Sequence, residues 1–309
     1  MQLTMQPYHD EIDYWRVRGF LRDLLERNDY RERSWHVYRW DYCRWHAWEN
    51  LVRPDLAASV FVWETPDRQI AAVLNIEDPG QVFLQVHPGW RTPALEEAML
   101  DIAEARLAVL DAEGVRRVQV WANAADTFRH EILRRRGYQQ SDWVEYQRRQ
   151  ALGGPLPSVA AAAGYTVRAL GDQAELPARS WASYRAFHPN DPPERYEGWE
   201  WYRNVQRAPL YRRDLDIVAV AAAGEIAAFC TVWYDDVTRT GAFEPVGTAP
   251  EHQRRGLGKA VMAEGLRRLQ WLGATRAYVA STGPAGHALY ASAGFTDYEL
   301  HGPWTKICS

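Results

Sequence analysis

The stretch that decides the fold is Gln253-Arg254-Arg255-Gly256-Leu257-Gly258-Lys259-Ala260. It follows the apolar run 242–248 and opens a helical pattern over 257–272. A strand, a glycine-bearing loop and a helix start, in that order, make a cradle for an anion. The first N–H groups of a helix have no intrahelical acceptor, and the helix dipole adds partial positive charge there. Gly256 and Gly258 keep side-chain bulk away from an approaching phosphate. Arg254 and Arg255 add cationic charge at the mouth, and Lys259 follows in the first turn. A glycine-softened strand-to-helix turn is the plainer alternative.

The pattern Gln-x-x-Gly-x-Gly after a strand resembles the acetyl-CoA pyrophosphate loop of the GNAT N-acetyltransferases. Three further features carry the same resemblance. Thr248-Ala249-Pro250 stands where the family has Val-x-Pro. A strand pattern over 276–280 follows the helix. Ala288-Leu289-Tyr290-Ala291-Ser292-Ala293-Gly294-Phe295 looks like the family's Leu-Tyr-x-x-x-Gly-Phe ending. The resemblance implies an α/β (α+β) fold, with a mixed, mostly antiparallel central sheet flanked by helices.

At 309 residues the chain has room for two domains of that size. It is 47% hydrophobic and 25% charged, a globular composition rather than a disordered one. The net charge of −4 gives no basic face and argues against nucleic acid as a partner. Cys43, Cys230 and Cys308 show neither metal-ligand spacing nor an even count, so no metal site and a reducing cytoplasm are expected. The first residues show no basic stretch followed by an apolar core, so no signal peptide is expected. The most apolar stretch, 217–233, is broken by Gly224-Glu225 and reads as two strands and a turn, not a membrane span. Fifteen tryptophans cluster at Trp35, Trp40, Trp45 and Trp48 and again at Trp181, Trp199 and Trp201. Core filling is the simpler account of them; an aromatic substrate wall is the other.

The chain reads as one unit written twice. The Gly-, Pro- and Ala-rich stretch 151–164 separates a first half, 1–150, from a second, 165–309. In the second half the spacing predicts a strand at 165–169, helices at 172–187 and 194–208, and strands at 216–222, 226–235 and 240–248. Helix 257–272, strand 276–280, helix 284–293 and closing strands 295–300 and 304–307 follow. The first half repeats the order: helix 12–28, an ambiguous helical stretch 31–51, strands 59–64, 69–77 and 81–86, helix 93–112, strand 115–122 and helix 126–136. Val86-His87-Pro88 matches Thr248-Ala249-Pro250, and Gly137-Tyr138 matches Gly294-Phe295. The whole chain thus resembles a tandem GNAT protein, an architecture that mycothiol synthases share.

The copies differ where chemistry is expected. After Val86-His87-Pro88 comes Gly89-Trp90-Arg91-Thr92-Pro93-Ala94, without x-x-Gly-x-Gly. Pro93 at a helix start lacks a donor that would hold phosphate. Leu133 stands where Tyr290 does, and leucine has no proton to give. The first half is therefore expected to be a degenerate copy; altered binding of CoA without catalysis is the alternative.

The resemblance implies acetyl-CoA as co-substrate and direct transfer to an amine in a ternary complex. In the family two parallel strands splay and the pantetheine enters between them; here these are 240–248 and 276–280. The N–H of Val246 is the implied carbonyl-polarising donor. Gly247 fits a close cofactor approach. Thr248, Gln253, Arg254, Arg255, Gly256, Leu257, Gly258 and Lys259 line the implied cofactor path, with Ser281 or Thr282 standing in for a family asparagine. Tyr290 is the candidate general acid to the thiolate, or else a residue that only packs on the sulfur. Glu244 is the candidate general base, or else a surface carboxylate; a water chain, His301 and His188 are the other candidates. Asn190 and Asp191, in the loop His188-Pro189-Asn190-Asp191-Pro192-Pro193, fit either acceptor binding or a turn with Asx capping. The expectation is a soluble N-acetyltransferase of a small primary amine, monomer or homodimer, with no nucleic acid or membrane partner. A non-catalytic acyl-CoA sensor or scaffold is the rival. An aminoacyl-tRNA-dependent transferase is disfavoured by the intact loop and the net charge.

Overall fold

The computed structural model describes residues 3–156 and 159–308. The chain forms two compact units. Unit 1 holds Met1–Cys43, Ala47–Tyr146 and Glu299–Ser309; unit 2 holds Arg44–His46 and Gln147–Tyr298. No described helix is long and apolar enough to cross a membrane.

In unit 2 the strand order is Glu145–Ala151, Arg276–Ser281, Thr240–Thr248, Ile226–Asp235, Asp216–Ala221 and Tyr165–Ala169. The last four run antiparallel to one another in turn. Thr240–Thr248 and Arg276–Ser281 are parallel. In unit 1 the order is Thr4–Pro7, Phe61–Glu64, Ile70–Ile76, Gln81–Val86, Arg116–Asn123 and the last strand, Asp297–Ile307. Here too one pair, Gln81–Val86 with Arg116–Asn123, is parallel. Each unit is thus the expected mixed, mostly antiparallel sheet with flanking helices.

The final strand differs from its expected place. Residues 299–309, read with the second half, lie in unit 1, where His301↔Asn123 through Ile307↔Arg117 pair antiparallel. Apolar burial explains the choice: Trp304 is 2% exposed in the unit 1 core, with Leu133 and Tyr138 in the same cluster. The sixth strand of unit 2 is instead supplied by Glu145–Ala151, which the sequence did not announce. The stretch after it docks on unit 2. Leu152 is buried in that core, and its N–H donates to the Thr275 carbonyl at 2.9 Å. Residues 157–158 of the expected linker lie outside the described residues.

Local chemistry sets the elements that frame the site. Leu257–Trp271 buries Leu257, Val261, Leu266 and Leu269 along one face and stops before Gly273, whose φ is +84°. Leu176–Phe187 follows a 3₁₀ turn, Gln173–Glu175, that Asp172 caps by accepting the Ala174 N–H. The helix expected at 194–208 is mostly irregular, with a turn at Pro193–Arg195 and a short helix at Tyr202–Val205. Gly198 at φ +99° interrupts it. Likewise 31–51 becomes Val37–Tyr42 followed by a π-helical run, Cys43–Val52. The tryptophans Trp35, Trp40 and Trp48 are core residues, whereas Trp181 is 37% exposed.

Trp304→Ala should cost unit 1 about 3–5 kcal/mol, the range for emptying a buried aromatic site. Chemical denaturation followed by hydrogen exchange should place the loss in unit 1; equal protection in mutant and wild type would contradict the packing.

Candidate active site

Parallel pairing in unit 2 covers Thr240↔Arg276, Gly241↔Ala277 and Ala242↔Tyr278, and stops there. Beyond it the two strands run on to Thr248 and Ser281, so a gap opens toward their carboxyl ends. On the other side of Thr240–Thr248 the antiparallel register jumps from Val232↔Phe243 to Cys230↔Val246. Glu244 and Pro245 together therefore oppose the single residue Thr231, a β-bulge at the mouth of the gap. The Glu244–Pro245 peptide is cis. The Trp233 indole N–H donates to the Glu244 carbonyl at 2.5 Å. Gly247 is bare for a packing reason: a Cβ there would lie 2.4 Å from Phe229 Cζ and 3.0 Å from Ala186 Cβ.

The gap leads to the glycine loop. Pro250–His252 forms one 3₁₀ turn, which Gln253 closes. The Gln253 side chain donates to the Thr248 carbonyl at 3.3 Å. Arg254 and Gly256 both have positive φ, +61° and +74°. Gly256 is the N-cap of Leu257–Trp271, and no side chain caps that helix. The N–H groups of the first turn, Leu257 to Lys259, therefore face outward without a side-chain acceptor. A Cβ on Gly258 would meet Leu289 at 3.2 Å and the Thr248 hydroxyl at 3.5 Å, so this glycine also lets the helix start sit close to the strand. Arg254 and Arg255 are exposed, and Arg255 touches the Glu251 carbonyl at 3.4 Å. Among the described residues Arg254 and Lys259 have no ion-pair partner.

Tyr290, on Pro284–Ser292, is 9% exposed and lies in the unit 2 core cluster with Cys230. Burial, and then the nearby Glu244 carboxylate, push its phenol above the ordinary tyrosine range. Tyr290 thus lies within electrostatic reach of Glu244, a bulge residue. Among the described residues the Tyr290 hydroxyl makes no hydrogen bond.

Three other candidates are placed elsewhere or occupied. The Ser281 hydroxyl is 2.7 Å from His287 Nδ1 and accepts from Arg148 Nε at 3.3 Å. His301 lies in unit 1, hydrogen-bonded with Asn123 at 3.2 Å. Burial, with Arg39 and Arg129 adding to it, drives its pKa down to about 3. His188 and Arg195 both engage Asp191, at 3.4 and 3.5 Å. Asp191 is thus engaged from within the loop's own segment. Sequence reading missed a buried cluster in which Arg179 and Asp216, both 0% exposed, pair at 3.2 Å. An arginine inside a helical pattern gives no sign that it is buried.

Unit 1 keeps the gap and closes the cradle. Its parallel pairing also stops after three pairs, at Phe83↔Trp121, and a cavity of about 270 Å³ follows, lined in part by Leu84, Val86 and Phe128. At the helix start, however, Thr92 caps the Leu95 N–H at 3.2 Å and Pro93 occupies the first position. Arg91 binds Glu96 and Asp126, each at 2.6 Å. Arg129 binds Glu96 at 2.9 Å. Burial opposes ionisation of Glu96, but Arg129 and Arg91 outweigh it and hold the carboxyl below its usual range. Leu133, in the place of Tyr290, is a fully buried core residue.

Residues 176–295 match the model of the acetyltransferase (GNAT) family. Unit 2 thus carries a GNAT acetyltransferase domain. It is 27% identical over 257 residues to a mycothiol acetyltransferase of Paenarthrobacter aurescens, covering 76% of this chain and 73% of the relative. A GCN5-related N-acetyltransferase of Sphaerobacter thermophilus shares its fold at TM-score 0.66 and 20% identity, over 99% of this chain and 95% of that one. A tandem GNAT protein from the clavulanic acid biosynthesis pathway does so at TM-score 0.68 and 17% identity, over 100% and 99%. The family match falls within unit 2, where the uncapped loop lies.

Gly256→Ala should destabilise this GNAT unit by about 1–2 kcal/mol, the cost of a left-handed non-glycine residue. A Cβ there meets nothing within 4 Å, so strain is the whole effect. Urea unfolding checks it; no change would show that the loop relaxes without cost.

Proposed function

We propose that the chain transfers acetyl from acetyl-CoA to a primary amine of a small molecule, in one ternary complex, at the unit 2 gap alone. The observation that carries this reading is the contrast between the two helix starts. In unit 2 the first-turn donors are open and glycine-led; in unit 1 Thr92, Pro93 and the Arg91–Glu96–Asp126 ion pairs occupy the same place. Two relatives are named mycothiol acetyltransferases, which supports acetyl transfer to a small molecule. The three free thiols fit a cytoplasmic setting.

Acetyl-CoA supplies an activated acyl group whose leaving group is a thiolate. Toward its pyrophosphate this chain offers the N–H groups of Leu257, Gly258 and Lys259, freed by Gly256, with Arg254, Arg255 and Lys259 as cations. Thr248 and Gln253 order the approach, and Ser281 borders the far strand. The bulge breaks the ladder beside Val246, whose N–H is the donor for the developing oxyanion. Glu244 takes a proton from the substrate ammonium and so frees the amine to attack the carbonyl carbon; as the C–S bond breaks, Tyr290 gives its proton to the departing thiolate. No thiol on this chain suits an acyl-enzyme route. Cys230 is fully buried beside the gap, donates to the Val261 carbonyl at 3.4 Å, and burial pushes its pKa well above the ordinary thiol value. This supports direct transfer.

Two outcomes test the reading. Calorimetry should find one acetyl-CoA per chain, with none bound by Gly256→Glu, which puts bulk and negative charge in the cradle. Two equivalent sites would contradict it. In a thiol-release assay against a panel of amines, polyamines, aminoglycosides and amino acids, Tyr290→Phe should lower kcat by about 10- to 1000-fold with acetyl-CoA affinity kept. A phenol held above its usual pKa near 10 stays protonated through the assay range. The kcat ratio of wild type to Tyr290→Phe should therefore be the same at pH 7 and pH 9. A ratio that shrinks at pH 9 would mean that Tyr290 ionises there and is not shielded as described. Tight acetyl-CoA binding with no turnover of any amine would point to a sensor instead.

A further inference from the structure

The bulge that opens the gap is backed by a polar cluster that no substrate can reach. Arg179 projects from Leu176–Phe187 into the interior of unit 2 and is fully buried. Its Nε donates to Asp216 at 3.2 Å, and its Nη2 donates to the Thr231 hydroxyl at 3.1 Å. Its guanidinium carbon lies 3.7 Å from the centre of the Phe229 ring. Asp216 also accepts from the hydroxyls of Tyr202 and Tyr211.

The targets of Arg179 have a common place. Thr231 is the single residue opposite Glu244 and Pro245, and Phe229 pairs directly with Gly247. Arg179 thus grips the Ile226–Asp235 strand at two positions on one face, opposite the bulge and opposite the glycine that follows Val246. Phe229 passes the contact on, because its ring edge fills the space where a Gly247 side chain would stand. Ala186, two turns along the helix from Arg179, closes on the same spot. Two residues beyond Thr231, Trp233 holds the carbonyl of Glu244.

As a source of stability the pair is poorly built. A buried ion pair repays its desolvation only when all its donors are met. Arg179 Nη1 is buried with no partner among the described residues. The same space filled by apolar side chains would cost less, which directs attention to geometry.

We infer that Arg179 and Asp216 are positioning residues for acetyl transfer: they fix the Glu244–Val246 bulge from behind, through Thr231 and Phe229, and so set where the Val246 N–H points. The inference rests on the reading that this bulge serves the acyl group. It assigns a catalytic consequence to residues that touch neither substrate.

The test uses the full chain. Arg179→Met keeps the length and removes the charge, the fork and the hydrogen bonds. It should lower kcat by about 10- to 100-fold, the scale for a misplaced oxyanion donor. The acetyl-CoA dissociation constant should stay within a few-fold, because the glycine loop is untouched. Arg179→Lys should recover little, since lysine has no planar fork to span Asp216 and Thr231. A readout independent of turnover is the Trp233 indole N–H signal in a nitrogen-15 spectrum, assigned by its loss in Trp233→Phe. It should move in Arg179→Met, since it reports the bond to the Glu244 carbonyl. Folded Arg179→Met with wild-type kcat and an unmoved Trp233 signal overturns the inference. So does a loss of acetyl-CoA affinity that matches the loss of kcat. If Arg179→Met does not fold, Gly247→Ala decides: it leaves Arg179 in place and presses on Phe229, and it should give the same kcat loss and Trp233 shift. Unchanged kcat and signal there overturn the proposal. A wild type that binds no acetyl-CoA defeats the functional reading instead, and the Trp233 comparison still tests the coupling.

Discussion

Parallel pairing that stops at Ala242↔Tyr278 is the constraint from which the unit 2 site follows. Backbone N–H and C=O groups that lose a ladder partner must find another acceptor or donor, and leaving them unmet inside a protein is costly. The fold meets this with a bulge on one side of the gap and a helix start at its end. At the bulge, Trp233 satisfies the Glu244 carbonyl. At the helix start no side chain caps the first-turn donors. Those groups are what a phosphate-bearing ligand would complete.

Unit 1 shows what happens when the same frame satisfies itself. Its parallel strands also part after three pairs, and the cavity remains. The demand at the helix start, however, is met from within by a threonine cap, a proline and a network of two arginines and two carboxylates. Buried charge is tolerable there only because each carboxylate has its guanidinium. The two copies thus differ in local chemistry at one loop. The strand that closes each sheet comes from a part of the chain that the repeat would give to the other unit.

Much of unit 2 was legible in the sequence. Apolar alternation marked its strands, Gly256 and Gly273 bracketed the main helix, and Tyr290 stood at a recognisable spacing. Other parts were not. Glu145–Ala151 reads as a polar stretch because Arg148 and Arg149 are charged, yet both are buried in the fold, bonded to Ser281, the Phe295 carbonyl and Asp297. Trp304 carries no mark of which core it enters. Gly247 leaves room for the ring of Phe229, a packing role that only register reveals. Arg179 sits among residues of helical spacing, and its burial depends on Asp216 and Thr231, which lie 37 and 52 residues away in the chain. Long-range pairing of charge is invisible to periodicity.

Transfer at the unit 2 gap depends on which backbone amides meet the thioester ligand, and backbone amide shifts during a titration with acetyl-CoA measure this directly. The amides of Val246 and of Leu257 to Lys259 should move at saturation, Val246 more with acetyl-CoA than with free CoA, while those of Arg91 to Leu95 stay in place. Shifts confined to the unit 1 helix start, or a Val246 amide that does not distinguish acetyl-CoA from CoA, would contradict it.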